Sequence, residues 1–123
     1  MYQKLGIVED LNCIWRGHSI CGEGPLWIPE EQGLYWVDID GCKAHRLQLE
    51  NGEVKSWDFP EKTGWILPRE GRSDFIAGCK SGIYSVDFES GVREKMLDPE
   101  SEIPEHRFTD AKVDAEGRIW TGS

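Results

Sequence analysis

Apolar and polar positions along this chain alternate in short runs, and no run carries a helical period. From 34 to 39 both alternating faces are apolar: Leu34 and Trp36 on one, Tyr35, Val37 and Ile39 on the other. A strand covered on both sides reads this way. Further strands are predicted over 44–49, 53–59, 82–88 and 92–97. In the last of these Val92, Glu94 and Met96 oppose Arg93, Lys95 and Leu97, the mixed pattern of an outer strand. Gly and Pro interrupt every window long enough for an amphipathic helix. Between the strands stand turn signals. Asn51-Gly52 predicts a tight hairpin with both central residues at positive φ. Glu89-Ser90-Gly91 links the next pair, Asp40-Gly41 closes an earlier turn, and Ala115-Glu116-Gly117 reverses the chain before a last strand at 118–121.

These elements repeat. The 34–39 run stands 41 positions before Phe75-Ile76-Ala77-Gly78-Cys79, and His45-Arg46-Leu47 stands 38 before Ile83-Tyr84-Ser85. Val54-Lys55-Ser56-Trp57 stands 38 before Val92-Arg93-Glu94-Lys95. Strand-rich repeats of about 40–50 residues are the signature of β-propeller blades. The chain is therefore read as all-β and propeller-like, with blade one over 23–60, blade two over 62–98 and a third blade starting near 109. Residues 99–106 are read as a polar connecting loop, and 1–21 as a strand that closes a ring. A propeller needs about 4–8 blades, and 123 residues supply about two and a half. Open blade faces are association surfaces. The expected partners are thus the missing blades of a longer chain, or further copies of this one.

Composition narrows the function classes. The net charge is −9, which disfavours a nucleic-acid partner. No apolar run reaches the roughly 18 residues of a membrane span, and Glu9 and Asp10 break any signal-peptide core. Cys13, Cys21, Cys42 and Cys79 show no CxxC or Cys–His metal spacing, so they are read as reduced thiols in a cytoplasmic setting. No serine lies in a Gly-x-Ser-x-Gly elbow, and no glycine-rich phosphate loop is present.

Two motifs carry candidate chemistry. Arg107-Phe108-Thr109-Asp110-Ala111-Lys112-Val113-Asp114 is followed by Gly117-Arg118, and Gly22-Glu23-Gly24-Pro25-Leu26-Trp27 lies near the start. Together with Tyr35-Trp36-Val37-Asp38-Ile39 they resemble the SMP-30/gluconolactonase family of regucalcin-like sugar lactonases over about 20–123. The resemblance implies a six-bladed propeller with one divalent metal in its central channel. It implies Glu23 as a metal ligand, and Arg107 and Thr109 as contacts to a sugar lactone. The family's catalytic aspartate falls beyond position 123, so no catalytic residue is assigned. Calcium is the expected ion, with zinc, magnesium and manganese as alternatives, since hard oxygen ligands suit such cations. A divalent ion polarises a lactone carbonyl. An arginine fork binds hydroxyls or carbonyl oxygens.

Each residue also has a plainer reading. Glu23 between two glycines is, on composition alone, a solvated turn residue. Arg107 reads as a surface ion-pair former. Thr109 replaces the family's asparagine and cannot offer a planar amide. Asp110 is expected to brace its loop, and Ala111 replaces a glycine, which matters if positive φ is needed there. Asp38 and Asp40 read as turn residues, and His45 as a packed histidine. His18 lies in a loop without partners at useful spacing, and His106 adjoins Arg107. The expected activity of the parent protein is metal-dependent hydrolysis of a sugar lactone, with these 123 residues inactive alone. The alternatives are a non-catalytic propeller module, an assembly through open blade faces, and another hydrolase on the same scaffold.

Overall fold

The computed structural model describes residues 11–99 and 105–123. Among the described residues ten strands make two four-stranded antiparallel sheets and one hairpin. The first sheet contains β1 (Gly22–Ile28), β2 (Gly33–Asp38), β3 (Lys43–Gln48) and β4 (Val54–Asp58), paired in chain order. The second repeats the meander with β5 (Thr63–Pro68), β6 (Phe75–Cys79), β7 (Gly82–Asp87) and β8 (Val92–Leu97). The hairpin is β9 (Ala111–Val113) with β10 (Ile119–Thr121). A 3-10 turn, Pro29–Glu31, joins β1 to β2. Sequential four-stranded sheets packed face to face define a β-propeller, and the chain supplies two of its blades and the first two strands of a third.

The blades stack because each presents apolar residues to the next. Tyr35, Val37, Ile39 and Ala44 of the first pack on Ile66, Phe75, Ala77, Cys79 and Val86 of the second. Rings complete the seam: Tyr35 lies 5.0 Å from Phe75, and Phe88 stands 4.6 Å from Trp57 and 5.1 Å from Phe75. Trp65, Phe108 and Ala111 begin a second seam between β5 and the β9–β10 hairpin. The first strand of each sheet lies nearest its neighbours: β5 packs on β1 and β2 on one side and on β9 on the other. β1, β5 and β9 are therefore the inner strands, and 34–39 belongs to the second strand outward.

The other face of β2 is covered differently. Trp36 and His45, opposite each other on β2 and β3, stack at 5.1 Å. Trp15 closes over both, 5.3 Å from Trp36 and 5.0 Å from His45. Residues 11–21 contain no strand, and the remainder of the expected ring-closing segment, 1–10, lies outside the described residues. So does most of the 99–106 connection.

The hairpin expected at Asn51-Gly52 takes another form. Only Gly52 is left-handed, at φ 71, and its N–H donates to the Gln48 carbonyl at 2.8 Å. Asn51 instead accepts the Glu53 N–H at 2.9 Å through its side chain. A loop with one left-handed glycine needs no second positive φ. The equivalent turn recurs at Gly91, φ 74, donating to Asp87 at 2.8 Å.

Candidate functional site

Glu23 stands at the start of β1, paired with Val37 and exposed. A bulge follows it: three steps from Glu23 to Leu26 match two from Val37 to Tyr35. The bulge recurs at the start of β5, between Thr63 and Trp65. A bulge interrupts pairing and redirects side chains; Glu23 itself stays paired, and Gly24 and Pro25 after it do not. Advancing by the 41-residue repeat places Gly64 at the position of Glu23. The second blade thus brings no carboxylate there.

Gly64 serves another purpose. A Cβ on it would sit 2.1 Å from the Phe108 carbonyl oxygen, so only glycine lets the incoming third module approach. Phe108 is buried and lies edge-on to Trp65 at 6.0 Å. Its neighbours Arg107 and Thr109 are thereby held beside the start of an inner strand. Arg107 is half-buried, and its Nη1 donates to the Phe108 carbonyl at 3.3 Å. Thr109 is exposed, while its N–H donates to Gly122 at 3.1 Å. Asp110 braces the same loop: Oδ1 accepts the Ala111 N–H at 2.8 Å. Ala111 is not among the residues with positive φ, so alanine fits where the family has glycine.

An open groove of about 1220 Å³ runs along the inner strands and between the blades. Gly24, Trp65 and Asp110 are among its lining residues. Glu23, Arg107 and Thr109 are not, though Glu23 adjoins Gly24 and Thr109 adjoins Asp110. The structure therefore joins Arg107 and Thr109 in one loop and puts Glu23 at the start of the inner strand beyond β5. Among the described residues no three His, Cys, Asp or Glu side chains gather to hold a metal ion. One exposed carboxylate does not make a divalent-ion site, which takes several oxygen ligands, so the residues present do not fit a complete metal centre.

Other candidates have structural work. Asp38 is buried and accepts the N–H groups of Ile20 at 3.0 Å, Cys21 at 2.9 Å and Gly41 at 3.0 Å. Burial raises its pKa, but these three bonds outweigh burial and hold it below the usual carboxylate value. Asp40 pairs with Lys62 at 3.1 Å. His45, 3% exposed, shares a 2.7 Å hydrogen bond between Nδ1 and Ser56 Oγ. Burial lowers its pKa, with Asp38 acting against that and Lys43 with it. The Ser123 hydroxyl lies 3.5 Å from His106 Nδ1. Glu61, in the link between blades, accepts from Ser81 Oγ at 2.7 Å and pairs with Arg93 at 3.0 Å, clamping the link to β8. Gly64 and Trp65 escaped the sequence reading. The signal available was the 41-residue offset, which sets Gly64 beneath Glu23.

The architecture is that of a β-propeller, and comparison with known proteins narrows it. Residues 21–123 match the model of the SMP-30/gluconolactonase/LRE-like region. The chain belongs to this family. It is 37% identical over 115 residues to a 6-deoxy-6-sulfogluconolactonase from Pseudomonas putida, covering 94% of this chain and 39% of that enzyme. The fold is similar to that of a calcium-binding protein, regucalcin, from Agrobacterium tumefaciens: TM-score 0.82, 22% identity, 88% of this chain and 36% of that one. It is also similar to a luciferin-regenerating enzyme: TM-score 0.79, 27% identity, 85% and 36%. The chain thus spans under two-fifths of the length of these relatives.

Proposed function

We propose that the parent protein hydrolyses a sugar lactone to its aldonic acid. The observation that carries this reading is the docking of the Arg107–Thr109 loop on Gly64, at the start of an inner strand, in a chain whose relative is a sugar lactonase. In the reaction a water oxygen adds to the lactone carbonyl carbon, the ring C–O bond breaks, and the ring oxygen takes up a proton. Arg107 orients the ring through its fork of N–H donors, and the Thr109 hydroxyl donates or accepts one further bond. Threonine in place of an amide shifts the choice of sugar. A divalent cation, calcium first among magnesium, manganese and zinc, is the proposed cofactor. Glu23 is one of its ligands, and the others come from outside the 123 residues. The chain alone is therefore expected to be inactive. The four free thiols, one of them the exposed Cys13, support a reducing, cytoplasmic setting. Among the described residues no helix is long and apolar enough to cross a membrane.

The test is a chimera joining residues 1–123 to the remaining blades of the Pseudomonas relative, assayed with glucono-1,5-lactone. Chelator-sensitive turnover that falls at least about a hundredfold in Glu23→Gln supports the reading, a loss of the size expected when a key electrostatic group is removed. Turnover indifferent to both Glu23→Gln and Arg107→Ala would sink it. A second reading rests on the open third sheet, whose Trp120 is 64% exposed. Propellers also bind partners without catalysis, and turnover by the chimera separates the two.

A further inference from the structure

We infer that Trp65 and Thr121 are positioning residues for the Arg107–Thr109 loop. The inference rests on the lactone-binding reading and deepens it. The Trp65 ring is 2% exposed and lies over Gly78, its cross-strand partner, where a Cβ would come within 2.3 Å of the indole nitrogen. That close fit leaves the indole one orientation. Its N–H donates to Thr121 Oγ at 2.8 Å, across 56 positions of chain. The Thr121 hydroxyl in turn donates to the Asp110 carbonyl at 2.8 Å. The relay therefore runs from a fixed ring on β5, through one hydroxyl that both accepts and donates, to the backbone directly after Thr109. Two contacts hold the other end of the loop: Gly64 under the Phe108 carbonyl, and the Thr109 N–H on Gly122 at 3.1 Å. Thr109 lies between these anchors, and Arg107 directly precedes the first of them. Their height above the inner strands is set jointly by the second blade, through Trp65 and Gly64, and by Thr121 and Gly122 at the end of the hairpin.

A fixed indole on the second blade and a hydroxyl relay are what a site needs to hold a side chain to within a fraction of an ångström. Thr121 is the informative position because it is exposed and its side chain fills no core. Thr121→Val keeps its shape and removes both bonds, whereas Thr121→Ser keeps the hydroxyl. Amide and indole hydrogen exchange of the 123-residue chain, followed by NMR without lactone, is the experiment. In Thr121→Val the Trp65 indole N–H and the Thr109 amide are expected to exchange about fivefold faster, the loss of one typical hydrogen bond. Thr121→Ser returns both to wild-type rates, and the Val37 and Ala44 amides of the first blade stay unchanged in both variants. Unchanged exchange at Thr109 in Thr121→Val overturns the inference. So does equal acceleration in Thr121→Ser, or the same acceleration in the first blade. Because no lactone is present, this result can fail while the chimera turns over substrate, or hold while it does not.

Discussion

The indole of Trp15 lies 5.0 Å from the imidazole of His45, and Trp36 flanks the same imidazole at 5.1 Å. The segment before β1 is thereby fastened to the face of the first blade that turns away from the second. Asp38 adds to this by accepting the Ile20 and Cys21 N–H groups. Replacing Trp15 with Ala should lower stability by about 2 kcal/mol, the scale of one large apolar side chain returned to water. Urea unfolding followed by circular dichroism measures it, and an unchanged midpoint would mean that the segment is not fastened.

The buried imidazole also makes stability depend on pH. Burial lowers the His45 pKa below its ordinary 6.5, so the fold favours the neutral ring. This contribution is complete above the unfolded pKa and is lost as pH falls from there through the lower folded value. Denaturation midpoints should therefore drop between pH 7.5 and pH 5, spanning the ordinary histidine value. In His45→Phe that drop should be smaller. Equal slopes in the two proteins would remove His45 as the cause.

Gly64→Ala places a methyl group against the Phe108 carbonyl. Overpacking of this kind costs about 1–3 kcal/mol. The cost should fall on the third module, so exchange of the Thr109 and Ala111 amides should quicken while Val37 and Ala44 keep their rates. A uniform change throughout the chain would contradict the assignment of Gly64 as a local seat.

The Trp120 indole donates to Asp114 Oδ2 at 2.9 Å, and Arg118 Nε donates to the same oxygen at 2.7 Å. The Trp120 bond leads a set that lowers the Asp114 pKa from 3.8 to about 2. The hairpin keeps this contribution above the ordinary value and loses it as pH falls through the depressed one. The Trp120 indole resonance should titrate near 2 and not near 3.8. A midpoint at the ordinary value would mean that the bonds are not formed in solution.

The hairpin presents Trp120 and Val113, 64% and 51% exposed, beside an unpaired strand edge. Such edges pair with other chains. Sedimentation should show concentration-dependent association of the 123-residue chain, weakened by Trp120→Lys. A monomer at all concentrations would refute self-association through this edge.

The blades were legible because their strands obey local rules. β8 coincides with the 92–97 run that alternates Val92, Glu94 and Met96 against Arg93, Lys95 and Leu97. β1 was harder to see. Gly22, Gly24 and Pro25 break its alternation, and the left-handed Gly24, at φ 60, belongs to the bulge that follows Glu23. The turn at Gly52 was placed correctly but assigned the wrong geometry, since the dipeptide rule describes two-residue loops and this loop is longer. Motif resemblance nominated Glu23, Arg107 and Thr109. What supports the last two lies far along the chain: Gly64, Trp65 and Thr121 come together only when the sheets stack, and no local pattern marks them.

The shared bulge at Glu23 and Gly64 gives a shell of repeating shape an interior of unequal character. At matching positions of the repeat the first blade carries an acid and the second bare main chain. The second copy of the repeat has thereby become a footing for the segment that follows.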